Sequence, residues 1–171
     1  MANGRNNRLA GQIGEYLVCA ELARRGYLAT PFAGNIPTFD VLATDEKFRP
    51  VPIQVKASRK QGWQTNAKEW MTLTYDSVTE RLDYDGPCEL SNPELIYVCV
   101  FISDVRDRFF ILTKAQLQTV VIGQFIPWLE GHGWKRPKKP DSFHCNYRLE
   151  ALSEYESNWN LIKTRFENLG C

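Results

Sequence analysis

Four polar side chains stand where hydrophobic patterning would place apolar ones. Asp40 opens FDVLAT (39–44), Gln54 and Lys56 alternate with apolar residues in VPIQVKA (51–57), and Glu15 sits inside RLAGQIGEYLVCAELARR (8–25). Successive residues of an extended segment point to opposite faces, so Val51, Ile53, Val55 and Ala57 share one side and Gln54 and Lys56 the other. The two polar residues are then separated by about two rises of 3.3 Å each. Taken alone, such a pair describes a strand face that meets water, as antiparallel sheets allow. Asp40 adds a carboxylate at the head of the preceding segment, within reach of that face. Glu15 precedes Val18, Cys19 and Leu22 by helical spacings and so occupies the border of an apolar stripe. A carboxylate there is costly without a partner, and a cation offsets the cost. Two carboxylates, an amide oxygen and a lysine in one cleft suit phosphodiester hydrolysis. Hard oxygen ligands that leave room for water and phosphate favour Mg²⁺, with Mn²⁺ as a substitute. The ion would polarise the phosphate and acidify bound water, and the lysine would orient that water or offset charge in the transition state.

These residues need elements to position them. The spacing predicts a helix over 8–25, ended by Gly26, with Leu9, Ile13, Leu17 and Ala20 in one apolar line and Tyr16 and Ala23 beside it. Glu21 pairs with Arg25 at four-residue spacing. Gly11 and Gly14 each cost about 1 kcal/mol relative to Ala inside a helix, which points to close approach by another backbone or a ligand. Strands are expected at 27–32, 39–44 and 51–57, the last two joined as an antiparallel hairpin by DEKFRP. Residues 59–68 read as a mobile polar loop, 69–75 as a further strand, and 76–93 as turn-rich. LIYVCVFI (95–102) is the most apolar run, as expected of a strand buried on both faces. RFFILT (108–113) follows, and Thr113 with Gln116 forms a capping box that opens a helix through about residue 122. Residues 131–142 read as a loop. Ser153 with Glu156 predicts a second capping box, starting an amphipathic helix that carries Tyr155, Trp159, Ile162, Phe166 and Leu169.

The chain has 171 residues, the length of one ordinary domain, and 1–171 reads as a single domain. A net charge of +1 requires any nucleic-acid partner to meet clustered rather than excess basic residues. Arg59 and Lys60 follow the Q-x-K segment, Lys135, Arg136, Lys138 and Lys139 form the densest cluster, and Arg5 and Arg8 precede the first helix's apolar pattern. A solvated surface loop is the competing reading for WKRPKKP, and packing competes with base stacking for Trp63. The cysteines are Cys19, Cys88, Cys99, Cys145 and Cys171, an odd number without a CxxC, and His132 and His144 lack metal-type spacing. A structural zinc site is not expected. Cys145 beside His144 is adjacency in sequence, not a catalytic arrangement. No run approaches the roughly 20 apolar residues needed to cross a bilayer, and the N-terminal stretch has no signal-type apolar core. A cytoplasmic protein with no membrane partner is the expectation.

The order GQIGEYLVCAEL, FDVLAT, IQVKAS resembles the PD-(D/E)XK nuclease superfamily, firmly over about the first 60 residues and more loosely through YVCVFI and RFFILTKAQL. The glutamine variant of its third position is similar to type IV restriction endonucleases, and the helix glutamate to archaeal Holliday-junction resolvases. The resemblance implies an α/β fold with a restriction-endonuclease-like core: a central mixed β-sheet flanked by helices in the order αβββαβ. It also implies a Mg²⁺-dependent DNA endonuclease in which Asp40 is the main metal ligand and Gln54 the second through its side-chain oxygen. The Val55 carbonyl would bind the same ion, Glu15 would bind it directly or through water, and Lys56 would serve the nucleophilic water. DNA would be the partner, and a homodimer or higher homo-oligomer would place active sites on both strands. Two departures stand out: Phe39 rather than proline precedes Asp40, with Pro37 earlier, and Gln54 removes one negative charge from the site. That lost charge motivates an alternative, a non-catalytic nucleic-acid- or protein-binding scaffold. A third reading, an unrelated α/β interaction domain, requires that Glu15, Asp40 and Lys56 not converge.

Overall fold

A computed structural model of the chain describes residues 4–32 and 38–169, with side chains from Asn6 onward. The side chain of Arg5, and all of Pro37 and Cys171, lie outside the described residues. Helix α1 (Gly4–Arg24) leads into β1 (Leu28–Pro31), β2 (Val41–Thr44) and β3 (Pro50–Ser58). Strands β4 (Gly62–Asn66), β5 (Met71–Asp76) and β6 (Arg81–Pro87) come next, then β7 (Ile96–Phe101) and β8 (Arg108–Thr113). Helix α2 (Lys114–Gly131), β9 (His144–Arg148) and α3 (Asn160–Asn168) complete the chain. A five-stranded mixed sheet in the order β1-β2-β3-β7-β8 forms the centre, antiparallel throughout except where β3 runs parallel to β7. Strands β4 and β9 make one two-stranded ribbon and β5 and β6 another. No helix among the described residues is long and apolar enough to cross a membrane.

The α/β class and the central mixed sheet follow the expectation, and the chain opens αβββ as implied. The order then departs from αβββαβ. A parallel pair needs a crossover, and here β4, β5 and β6 supply it, so the next α-helix comes only after β8. The β2–β3 hairpin forms as predicted because Asp45 organises its turn: Oδ1 accepts the N–H groups of Lys47 and Arg49 at 3.0 Å, and Oδ2 accepts Arg49 Nε at 2.7 Å.

Two cores lie on opposite faces of the sheet. Val51, Ile53, Val55, Val98, Val100 and Ile111 pack on one face with Val18 and Leu22 of α1 and Ile162 and Phe166 of α3. Tyr97, Cys99, Phe110 and Leu112 pack on the other with Leu117, Val121, Phe125 and Leu129 of α2 and the β4–β9 ribbon. β7 is buried on both faces, as its composition requires.

Several expectations need correction. Residues 59–68 are not a loop, because β4 pairs with the unanticipated β9. The buried line of α1 is Ala10–Gly14–Val18–Leu22, one residue out of phase with the predicted one, and Leu9 and Tyr16 are exposed. The Thr113–Gln116 capping box is present, but α2 runs on to Gly131 rather than to about residue 122. No Ser153–Glu156 capping box opens the last helix. Residues Leu149–Tyr155 form a 3₁₀ segment, α3 starts at Asn160, and Leu169 is exposed.

Candidate active site

The site begins with the register of β2 on β3. Val41 stands opposite Ile53 and Leu42 opposite Pro52, so the residue preceding β2, Asp40, comes level with Gln54. Its main chain is fixed from both sides: Asp40 N donates to Ile53 O at 2.9 Å, and Asp40 O accepts from Phe32 N at 2.9 Å. The carboxylate reaches across to β3. Oδ2 accepts the Val55 N–H at 2.8 Å and a hydrogen bond from Gln54 Nε2. In a strand the N–H and C=O of one residue leave on the same edge, so the Val55 carbonyl also points to the β2 side, just beyond the end of that strand.

Glu15 arrives on α1, and Gly14 explains how. A Cβ on Gly14 would lie 2.4 Å from Ala57 Cβ and 3.4 Å from Val55 Cγ1, so only glycine lets the helix approach β3 this closely. The close approach predicted for Gly14 is present; Gly11 has nothing within 4 Å. The next residue, Glu15, is partly buried at the rim of this contact. Burial, and then the charge of Asp40, push its carboxyl above the ordinary range. Burial raises Asp40 too, against the opposing effects of the Val55 N–H and of Lys56. Asp40 is thus approached from two sides, by Glu15 on the α1 side of β3 and by Gln54 and Lys56 on the other.

Lys56 lies on the same β3 face as Gln54, level with Cys99 of β7, as Gln54 is level with Tyr97. Its carbonyl accepts the Trp63 indole N–H at 2.9 Å. Trp63 is only 5% exposed and stacks on Tyr147 at 5.5 Å, so it packs rather than offering a surface for bases. Beneath Lys56, Cys99 Sγ lies 3.6 Å from the Tyr147 hydroxyl, and burial pushes the Cys99 thiol up to about 12. Trp63 and Tyr147 were not anticipated as supports of the site. The signal was weak: GWQTN alternates, but four of its five residues are glycine or polar.

No three His, Cys, Asp or Glu side chains among the described residues come together as a metal-binding group. The oxygen groups that could hold an ion here would be two carboxylates, the Gln54 side-chain oxygen and a backbone carbonyl. This fits Mg²⁺, which keeps several waters and takes few protein ligands.

Arg59 and Lys60 are exposed immediately after β3. Lys135, Lys138 and Lys139 are exposed in the loop after α2, near the opposite end of the β4–β9 ribbon, whereas Arg136 turns inward and donates to His144 O. Arg8 is exposed. His144 and Cys145 alternate across β9, and burial pushes the Cys145 thiol up to about 12, which leaves no thiolate nucleophile.

Neither a protein-family model nor a curated protein matches the chain. Among solved structures, a bacterial homing endonuclease, I-Ssp6803I, is similar at 11% identity and a TM-score of 0.48, over 95% of each chain. A likeness of that degree leaves the chemistry to be argued from the chain's own residues.

Proposed function

We propose that this protein is a metal-dependent endonuclease of the PD-(D/E)XK type that hydrolyses phosphodiester bonds in DNA. One observation carries the reading: the Asp40 carboxylate is clamped onto the Q-x-K strand by Val55 N–H and Gln54, with Lys56 close enough to oppose its charge and Glu15 close enough to feel it. Asp40, Glu15, the side-chain oxygen of Gln54 and the carbonyl of Val55 would hold Mg²⁺, or Mn²⁺ in its place. Such an ion, when bound, polarises a phosphate and lowers the pKa of a coordinated water. Lys56 orients the attacking water and offsets charge that grows on the phosphate oxygens. Arg59 and Lys60 contact the DNA backbone beside the site, and Lys135, Lys138 and Lys139 farther along it. Such contacts give affinity and salt dependence without reading sequence. A homodimer or higher homo-oligomer would bring a second such site to the opposite strand.

The deciding experiment is cleavage of linear, branched, modified and single-stranded DNA with Mg²⁺ or Mn²⁺, by the native protein and by Lys56→Ala. Ion-dependent cleavage that disappears in a folded Lys56→Ala protein is expected. Full activity in that variant rejects the assignment.

One observation favours a second reading, a non-catalytic nucleic-acid- or protein-binding scaffold. Gln54 points its N–H group at Asp40, so it meets the carboxylate as a donor. Calorimetric titration with Mn²⁺, with and without DNA, separates the two readings. DNA binding with no ion uptake in either state supports the scaffold.

A further inference from the structure

Between α2 and β9 lies a cavity of about 370 Å³ that plays no part in the cluster around Asp40. Gln124 and Trp128 of α2, Arg136 of the following loop, and His144, Asn146 and Arg148 of β9 line it, and no carboxylate does. Its polarity follows from strand alternation. Cys145 and Tyr147 turn into the core, which leaves His144, Asn146 and Arg148 on the outer side. Gln124 Oε1 accepts the Arg148 N–H at 2.8 Å, tying helix to strand and leaving the amide N–H group of Gln124 for the cavity.

Arg136 makes the site more than a hollow. One of its terminal nitrogens donates to His144 O, and its guanidinium lies 5.6 Å from the Trp128 ring centroid. Its Nε is buried and has no hydrogen-bond partner among the described residues. No ion pair among the described residues includes Arg136 or Arg148. A buried donor without an acceptor is costly. No carboxylate lines the cavity, so a ligand that supplies anionic oxygen gives the two guanidinium groups the counter-charge they lack.

We propose that this cavity is a binding site for one phosphodiester unit of a nucleic-acid strand, its phosphate held by Arg136 and Arg148 and its nucleoside lying against Trp128. The volume is at the small end of ligand pockets, which span about 300–1,000 Å³, and suits a single nucleotide. Trp128 packs against Phe125 and His132 but is 39% exposed at the rim, and that exposed part is available to a base or sugar. Position supports the assignment as well. Arg148 stands opposite Gly62, two residues beyond Lys60, while Arg136 adjoins Lys135, Lys138 and Lys139. The cavity thus links the two basic groups of the sequence into one track. The choice of a nucleic-acid strand rests on the DNA reading above, but binding here needs neither the metal nor hydrolysis, so the inference is separable from the proposed cleavage.

The test is fluorescence anisotropy with labelled oligothymidylate and, separately, a labelled duplex, in EDTA across a salt series. Arg148→Gln is expected to weaken binding about tenfold and to lower the salt slope by about one. Asn146→Asp puts a carboxylate into the acid-free cavity and is expected to weaken binding at least as much, in a protein whose melting temperature is unchanged. Lys163→Gln, on the exposed side of α3, serves as the control for general loss of charge. Arg148→Gln and Asn146→Asp proteins that bind like Lys163→Gln overturn the proposal. A preference for oligothymidylate places an unpaired nucleotide in the cavity, and equal losses on both probes place a backbone phosphate there; either supports it. Calorimetric heat from inorganic phosphate, with no effect of either variant on oligonucleotide binding, overturns it in favour of a free-phosphate site.

Discussion

β3 and β7 run side by side and in register, yet their matching positions have different fates. Gln54 is level with Tyr97, and Lys56 with Cys99, on the same face of the sheet. On β7 that face is roofed by the second core, and Tyr97 and Cys99 are 8% and 0% exposed. On β3 the roof ends, and Gln54 and Lys56 are only partly buried. Burial on β7 suppresses ionisation, pushing the Tyr97 phenol and the Cys99 thiol up to about 12. One strand over, charged groups remain within reach of water while keeping a low-dielectric wall beside them. The sheet thus places its candidate chemistry at the edge of its second layer, where positioning and access coexist.

The largest effect expected from breaking this contrast is on the open side. Asp40→Asn keeps an oxygen that can accept the Val55 N–H but removes the charge. Single-turnover cleavage should fall by at least about a thousandfold, equivalent to about 4 kcal/mol of barrier, while the fold persists. A loss of less than about tenfold would mean that Asp40 is not a metal ligand.

On the covered side the same kind of truncation should cost stability instead. Phe110 is fully buried against Trp63 and the core around α2. Phe110→Ala should cost about 3–5 kcal/mol in urea unfolding, and Gln54→Ala less than about 1 kcal/mol. Similar costs for the two would erase the distinction between roofed and open strands.

Gly14 sharpens the comparison because it fixes how far α1 closes over β3. Alanine there would gain about 1 kcal/mol of helix propensity. Its Cβ would also meet Ala57 Cβ at 2.4 Å. The overpacking should dominate and leave Gly14→Ala destabilised by about 1–3 kcal/mol, with reduced cleavage as Glu15 is displaced. Adding Ala57→Gly should restore both; a double variant no better than the single one would show that the contact does not position the helix.

How much of this was readable in the sequence depended on whether local or distant contacts decide. Alternation in VPIQVKA assigned Gln54 and Lys56 to one face without ambiguity, and Thr113 with Gln116 marked the start of α2, because both signals are local. Gly14 was flagged by its cost inside a helix, a local penalty with a long-range cause. β4 was missed because GWQTN carries little hydrophobic signal of its own; its strand character comes from pairing with β9, about 80 residues away in the chain. The α1 stripe was misplaced by one residue because small residues, Ala10 and Gly14, define its buried line, and hydrophobic counting favours Leu9 and Ile13. The inward turn of Arg136 had no sequence signal, since the loop that carries it reads as uniformly basic.

The smallest expected effect tests the electrostatics of the open edge. Burial raises the carboxyls of both Glu15 and Asp40, and Asp40's charge adds to the rise at Glu15. A folded-state pKa above the unfolded value means that the folded state holds the proton more tightly. The stabilisation this brings is complete below the unfolded pKa and is lost as pH rises through the folded one. Without metal, melting temperature should therefore carry a downward contribution from these groups between about pH 4 and the upper carboxylate range. Glu15→Gln removes its share of that contribution and should raise the metal-free melting temperature at neutral pH by no more than about 2 °C, since the group is only partly buried. A bound divalent cation reverses the sign, because it favours the ionised pair. Mg²⁺ should therefore stabilise the native protein most near neutral pH, less as the carboxyls protonate, and least of all in Glu15→Gln. Differential scanning fluorimetry across pH, in EDTA and in Mg²⁺, reads both limbs. A Mg²⁺ increment independent of pH and of Glu15 would place the cation, if it binds, away from this edge of the sheet.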